Sequence, residues 1–219
     1  INLASFVPKK NDEYFSKKCD INELIVNNII KNFNCDLIHI SSLAIYENSL
    51  SKFINEKTKI YHPLSNYSLS KYNSEKLVIN NYKYPFLILR IPGIFGGDRK
   101  SGLIYKLIVA KKNKQKFNYN VPPKNWTIMY LFDLLEILNQ SIKIKIKKNN
   151  IINVNYKHQL TPVEIINFIL QEVDYTKSFN ISDKNKFLYA TDNFFKYFKN
   201  NNISLKRSII EYINIIKNA

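Results

Sequence analysis

The stretch NYSLSKYNSEK (66–76) sets Tyr67 and Lys71 four residues apart, which on a helix puts a phenol and an ammonium on one face. Such a pair could do acid–base chemistry, but its spacing alone does not establish that. With 15 Tyr, and Lys making up 30 of the 33 basic residues, about two Tyr-x-x-x-Lys matches are expected by chance. Three occur: Tyr14/Lys18, Tyr67/Lys71 and Tyr72/Lys76. Position must decide among them. Tyr14/Lys18 precedes any helix signal, and Tyr72/Lys76 lies about 140° around the helix from the first pair, so at most one pair on that helix faces a given crevice well. Ser42 ends an apolar run shortly before the Tyr67 helix and can converge with it.

The elements that would hold these residues alternate strand and helix. Ile1–Ala4 reads as a short buried strand, and residues 21–33 as a helix with Asp20 as its cap. Leu37–Ile40 reads as a strand stopping at Ser41-Ser42, and a helix covers the quoted stretch to about Asn80, with Leu69, Leu77 and Val78 inward. PFLILRI (85–91) is almost wholly apolar, as expected of a strand covered on both faces. Beyond IPGIFGG (91–97) come a helix near Leu103–Lys111, a strand and helix through Met129–Ile142, and a strand at Ile151–Val154. Thr161-Pro162-Val163-Glu164 is a helix start with Thr as cap and Glu in the first turn. Helices at about Asp192–Phe198 and Ser204–Lys217 finish the chain. IKIKIKK (142–148) reads equally as strand or as frayed helix end. The order implies a parallel α/β sheet, whose ligands sit at the carboxyl ends of the strands: Asn2–Ser5, Ser41-Ser42 and Arg90–Gly97.

Composition narrows the partners. A net charge of +16 invites a polyanion reading, yet only Arg90, Arg99 and Arg207 are arginine, and phosphate and base recognition favours arginine forks. The abundance of Asn, Ile, Tyr, Phe and Lys fits a compositional bias, and KKNKQK (111–116) reads as a solvated helix end. Neither nucleic acid nor membrane is expected as a partner; no apolar run approaches the roughly 18 residues of a bilayer span. Cys19 and Cys35 are too few for a disulfide framework or zinc site. They read as buried or inert thiols of a reducing compartment, and a cytoplasmic location is expected.

Taken in order, several segments resemble the extended short-chain dehydrogenases/reductases of the NAD-dependent nucleotide-sugar epimerase/dehydratase type. INLAS (1–5), IHISSLAIY (38–46), NYSLSK (66–71), LRIPGIFGG (89–97), WTIMYLFDLL (126–135), INVNYKHQLTPVEIINFI (152–169) and ISLKRSIIEYI (203–213) are each similar to a segment of that family. The resemblance implies an incomplete Rossmann-type doubly wound parallel sheet with a small C-terminal α/β substrate-binding region. Residues 1–97 would belong to the NAD(P)-binding domain, and 98–219 mainly to the substrate region, interleaved with it. It implies Ser42, Tyr67 and Lys71 as catalytic residues. Leu3, Ala4, Ser5, Ile40, Ser41, Ile91 and Pro92, with Tyr67 and Lys71, would line the NAD or NADP site. Ser42, Tyr67, Gly93 and Arg99 would meet a nucleotide-sugar substrate, and no metal is implied. A homodimer through helices of the sheet domain is a further expectation of the resemblance.

A free tyrosine has a pKa near 10, so a Tyr67 base at neutral pH needs a shift of about 3 units, which Lys71 and a positive nicotinamide could supply. The sequence departs from the family at several points. Its four glycines (93, 96, 97 and 102) form no Gly-x-x-Gly-x-x-Gly, the turn that holds the cofactor pyrophosphate. Ile1 corresponds to a point after that turn, as in a fragment or a degenerate form. Leu43-Ala44 replace the acidic pair of the dehydratases, leaving an epimerase or reductase as the expected activity. Gly93 stands where many members carry Asn, and Trp126 where Arg is frequent. A non-catalytic relative that binds a nucleotide sugar or a protein is the alternative reading.

Overall fold

The computed structural model describes residues 1–9, 12–115, 122, 126–173, 188–198 and 203–218. In chain order its elements are α1 (Ile21–Asn32), β1 (Leu37–Ser42), β2 (Phe53–Ile54), α2 (Asn66–Asn81), β3 (Phe86–Ile91), β4 (Gly93–Phe95), α3 (Leu103–Lys112) and β5 (Ile128–Tyr130). There follow α4 (Leu131–Lys143), β6 (Asn150–Asn153), α5 (Pro162–Val173), β7 (Leu188–Tyr189), α6 (Asp192–Tyr197) and α7 (Leu205–Asn218). The central sheet is parallel in the order β1-β3-β6. Leu37 pairs with Phe86 at one end and Ser42 with Ile91 at the other, so β1 and β3 end level with each other.

Successive strand residues face opposite sides of a sheet, and both sides are covered here. Leu37, Phe86 and Ile88 pack with Val26 of α1 and with Val78 and Tyr82 beside or within α2. Ile38, Leu87, Leu89 and Ile152 belong to the larger core with Ile108, Ile137, Ile165, Ile209 and Ile213 of the later helices. That two-sided burial makes the fold a doubly wound, Rossmann-type α/β sheet, and it explains why PFLILRI carries no polar alternation.

Several local expectations need correction. The first segment contributes only an isolated bridge, Asn2 to His39. Asp20 does not cap α1 through its side chain: its backbone is already helical, because a short 3-10 turn runs directly into the helix. Residues 144–149 are irregular, and the next strand starts only at Asn150. Of the two thiols Cys19 is buried, but Cys35 is exposed. Lys111 and Lys112 do end α3, whereas Lys116 lies outside the described residues. The α5 start is a full capping box: Glu164 N–H donates to Thr161 Oγ1 at 3.2 Å, and Thr161 N–H to Glu164 Oε2 at 2.7 Å.

The region after β3 is held by a polar anchor. Asp133 Oδ2, in the first turn of α4, accepts from Tyr156 Oη at 2.5 Å and Ser208 Oγ at 2.6 Å. Gly96, at φ +96°, lies against Tyr130, and a Cβ there would overlap its ring. Gly96→Ala therefore combines left-handed strain with overpacking, expected to cost about 2–4 kcal/mol. Urea unfolding should show the midpoint fall with an unchanged slope. Among the described residues no helix is long and apolar enough to cross a membrane.

Candidate active site

The carboxyl end of β1 and the amino end of α2 are fastened to each other. Ser42 Oγ accepts from Ala44 N–H at 3.1 Å and starts a 3-10 turn, Leu43–Tyr46. Ser65 caps α2 by accepting from Ser68 N–H at 3.2 Å. Its own N–H and hydroxyl donate to Glu47 Oε1, just past that turn, at 2.7 and 3.1 Å. Tyr67 thus enters in the first turn of α2, next to the strand end that carries Ser42, and Lys71 follows one turn later on the same face.

Lys71 is 3% exposed. Its ammonium donates to the Ile40 carbonyl at 2.7 Å and to Ser5 Oγ at 3.4 Å. Burial lowers its pKa to about 8, against the raising effect of Glu75. Ser5 is set in turn by Asn22, whose Oδ1 accepts from Ser5 Oγ at 2.9 Å and Phe6 N–H at 2.8 Å, while its Nδ2 donates to Ser70 Oγ at 3.0 Å. Asn22 is thus a structural part of the site that sequence reasoning did not single out. A lone Asn near a helix start carries no signal that it will be buried against a helix 48 residues away.

The surroundings of Tyr67 favour its protonated form. Burial pushes its pKa up to about 12, the facing Ser42 hydroxyl opposes that rise, and Tyr14 and Cys19 add to it. Tyr14 stacks edge-on against its ring, with centroids 5.6 Å apart. The Lys71 ammonium is turned to the Ile40 carbonyl, and without the nicotinamide charge that the expected downward shift also requires, the phenol holds its proton at neutral pH.

Beneath the pair, on the same sheet face as Ser41, His39 is 2% exposed. Asn2 Oδ1 accepts from Ala4 N–H, leaving Asn2 Nδ2 to donate to His39 Nδ1 at 3.0 Å; the neutral ring then carries its proton on Nε2. Burial first, and the Lys71 charge second, lower its pKa to about 3. A base depressed in the folded state contributes stability that is present above pH 6.5 and lost as pH falls towards 3. By pH 5 this loss is on the order of 2 kcal/mol, and in His39→Gln the acid limb of stability against pH should be shallower by about one proton.

The structure brings Ser5, Ile40, Ser42, Tyr67 and Lys71 into one cluster at the carboxyl end of β1. Ser41 is buried beside them, with Oγ making no hydrogen bond among the described residues. Leu3 and Ala4 are exposed, Ile91 is half-buried and Pro92 buried at the end of β3. Gly93 opens β4, its N–H bonded to Thr127 O at 3.1 Å. Arg99 is exposed and turned to Ile94 O and Ser101 Oγ, both at 3.1 Å. The rival pair Tyr72/Lys76 is a surface cation–π contact of 4.1 Å. Among the described residues no group of His, Cys, Asp or Glu is placed to hold a metal ion.

The donors of this cluster are of the kind that the ribose hydroxyls of a dinucleotide accept from. The Lys71 ammonium has three donors, two of them committed to Ile40 O and Ser5 Oγ, and it stands where parallel sheets take their ligands. Nothing among the described residues supplies a glycine-rich turn for the pyrophosphate.

A doubly wound parallel sheet with polar groups gathered at its carboxyl edge defines a Rossmann-type nucleotide-binding fold. The chain belongs to the NAD dependent epimerase/dehydratase family, whose model matches residues 5–140. UDP-glucuronic acid 4-epimerase from Bacillus cereus, solved with UDP-glucuronic acid and NAD, superposes with a TM-score of 0.75 at 18% identity, covering 98% of this chain and 74% of that one. Bordetella bronchiseptica WbmG, solved with NAD and UDP, gives 0.75 at 15% identity over 98% and 72%. The Thermotoga maritima UDP-glucose 4-epimerase, solved with UDP-glucose, gives 0.71 at 15% over 92% and 70%. At these identities the likeness establishes the fold, and the chain spans roughly seven tenths of these neighbours. No curated protein sequence matches it.

Proposed function

We propose that the protein is an NAD-dependent nucleotide-sugar epimerase that inverts C4 of a UDP-linked hexose or hexuronic acid, with Tyr67 as its acid–base group. The observation that carries this reading is the anchoring of Lys71 to the Ile40 carbonyl at the strand end, beside Tyr67 and Ser42. Family membership and three neighbours solved with NAD, UDP or a UDP-sugar, two of them UDP-sugar 4-epimerases, support it.

Lys71, through its remaining N–H, would hold the nicotinamide ribose, flanked by Leu3–Ser5, Ile40, Ser41, Ile91 and Pro92. NAD, when bound, supplies the hydride acceptor and donor. Tyr67 takes the proton of the C4 hydroxyl as that carbon is oxidised, and returns it as the carbon is reduced on its other face. Ser42, already directed at the Tyr67 oxygen, orients the reacting sugar oxygen. With the phenol at about 12, the resting site is the proton donor, and the base form must await a further positive charge. Gly93 leaves room beside the sugar, and Arg99 offers an exposed fork to the nucleotide phosphates. In this reading residues 1–97 serve the cofactor and 98–219 chiefly the substrate.

The test is direct. Full-length protein incubated with NAD and either UDP-glucose or UDP-glucuronic acid should yield a mixture of the two C4 epimers of one of them, followed by NMR of the sugar. Failure to convert either substrate, in protein shown to bind NAD, would count against the assignment.

A further inference from the structure

Behind Lys71 lies a buried ionic cluster that the proposed reaction does not use. Glu75 follows Lys71 by one turn of α2 and is 0% exposed. Its carboxylate is gripped from two sides by Arg90 of β3, itself 3% exposed: Nε donates to Oε1 at 3.0 Å and Oε2 at 3.2 Å, and Nη2 to Oε2 at 2.7 Å. The far arm of Arg90 donates to the Tyr46 hydroxyl and to Glu56 O at 3.5 Å. Tyr46 closes the turn that Ser42 opens. Arg90 therefore reaches both the helix of Tyr67 and Lys71 and the segment of Ser42.

The charge balance gives this arrangement a second consequence. One buried carboxylate, paired directly with Arg90, lies one helical turn from the buried Lys71 ammonium. The titratable groups about Lys71 are Tyr67 and Glu75 on α2, His39 on β1 and, through Glu75, Arg90 on β3. His39 is neutral and Tyr67 protonated, so Glu75 is the negative charge that opposes the desolvation of the ammonium. A buried ion pair is not needed for stability as such, since apolar replacements often serve equally well.

We propose that Glu75 is a positioning residue for catalysis: clamped by Arg90 one helical turn from Lys71, it keeps the Lys71 ammonium charged, while the same clamp fixes the Ser42 turn. This rests on the role given to Lys71 above. The direction of the Lys71 pKa, lowered by burial and raised by Glu75, agrees with it.

The experiment is a lysine 13Cε NMR titration of the full-length protein, with the Lys71 signal assigned by its loss in Lys71→Met. Lys71 should titrate about one pH unit lower in Glu75→Gln and in Glu75→Gln/Arg90→Met than in the wild type. The double variant leaves no unpaired charge at the Arg90 position and reports even where the single one fails to fold. A lower midpoint in the folded double variant supports the proposal; an unchanged one, with stability alone reduced, shows a merely structural pair and overturns it. Turnover separates the two readings. If Tyr67→Phe keeps full epimerase activity, the assignment of function fails whatever Lys71 does. If Tyr67→Phe is inactive and Lys71 titrates unchanged, only the role of Glu75 fails.

Discussion

Tyr67→Phe is expected to lower epimerase turnover by about 10³-fold, the scale of a positioned acid–base group, and to leave the fold intact. The substitution removes one hydroxyl that faces Ser42 and keeps the ring that stacks on Tyr14. The neighbouring fastenings, Ser65 to Glu47 and Lys71 to Ile40, do not involve that oxygen. Circular dichroism and the urea midpoint should therefore match the wild type while kcat collapses and NAD affinity persists. Loss of affinity in step with kcat would instead make Tyr67 a binding residue.

Arg90→Met carries the largest expected cost to stability. It strips three contacts from a carboxylate with no solvent to turn to, and breaking a buried pair from one side costs about 3–5 kcal/mol. Tyr46 keeps bonds to Asn55 O at 3.1 Å and Asn153 Oδ1 at 3.3 Å, so the penalty falls mainly on Glu75. Adding Glu75→Gln should restore much of the loss, and a double-mutant cycle in urea reads the coupling. A single variant within about 1 kcal/mol of the wild type would show that the pair is far less desolvated than its geometry implies.

What the sequence revealed and what it hid follow from how local each signal is. The apolar run at 85–91, the Thr161/Glu164 capping box and the helix across 66–81 are set by neighbours within a few residues, and each is found where it is expected, within a residue or two. Strands β2 and β7 pair Phe53 with Leu188 over two residues apiece, too short and too distant for any periodic pattern. Buried polar groups were hidden for the same reason. Nothing near Asn22, His39, Glu75 or Arg90 in the sequence announces that each loses its water, since the partners lie 15 to 48 residues away. A Tyr-x-x-x-Lys spacing likewise places two side chains on one face without saying which carbonyl takes the ammonium. Here it is Ile40 O.

In the proposed reaction oxidation and reduction occur at one sugar carbon without exchange of its hydrogen with water. The measurement that tests it most directly follows deuterium placed at C4 of the UDP-sugar that the full-length protein converts. The label should remain at C4 in the inverted product, because hydride leaves and returns while Tyr67 exchanges only the hydroxyl proton. Epimerisation with the label washed out into solvent would contradict it, since that outcome requires removal of the carbon-bound hydrogen as a proton.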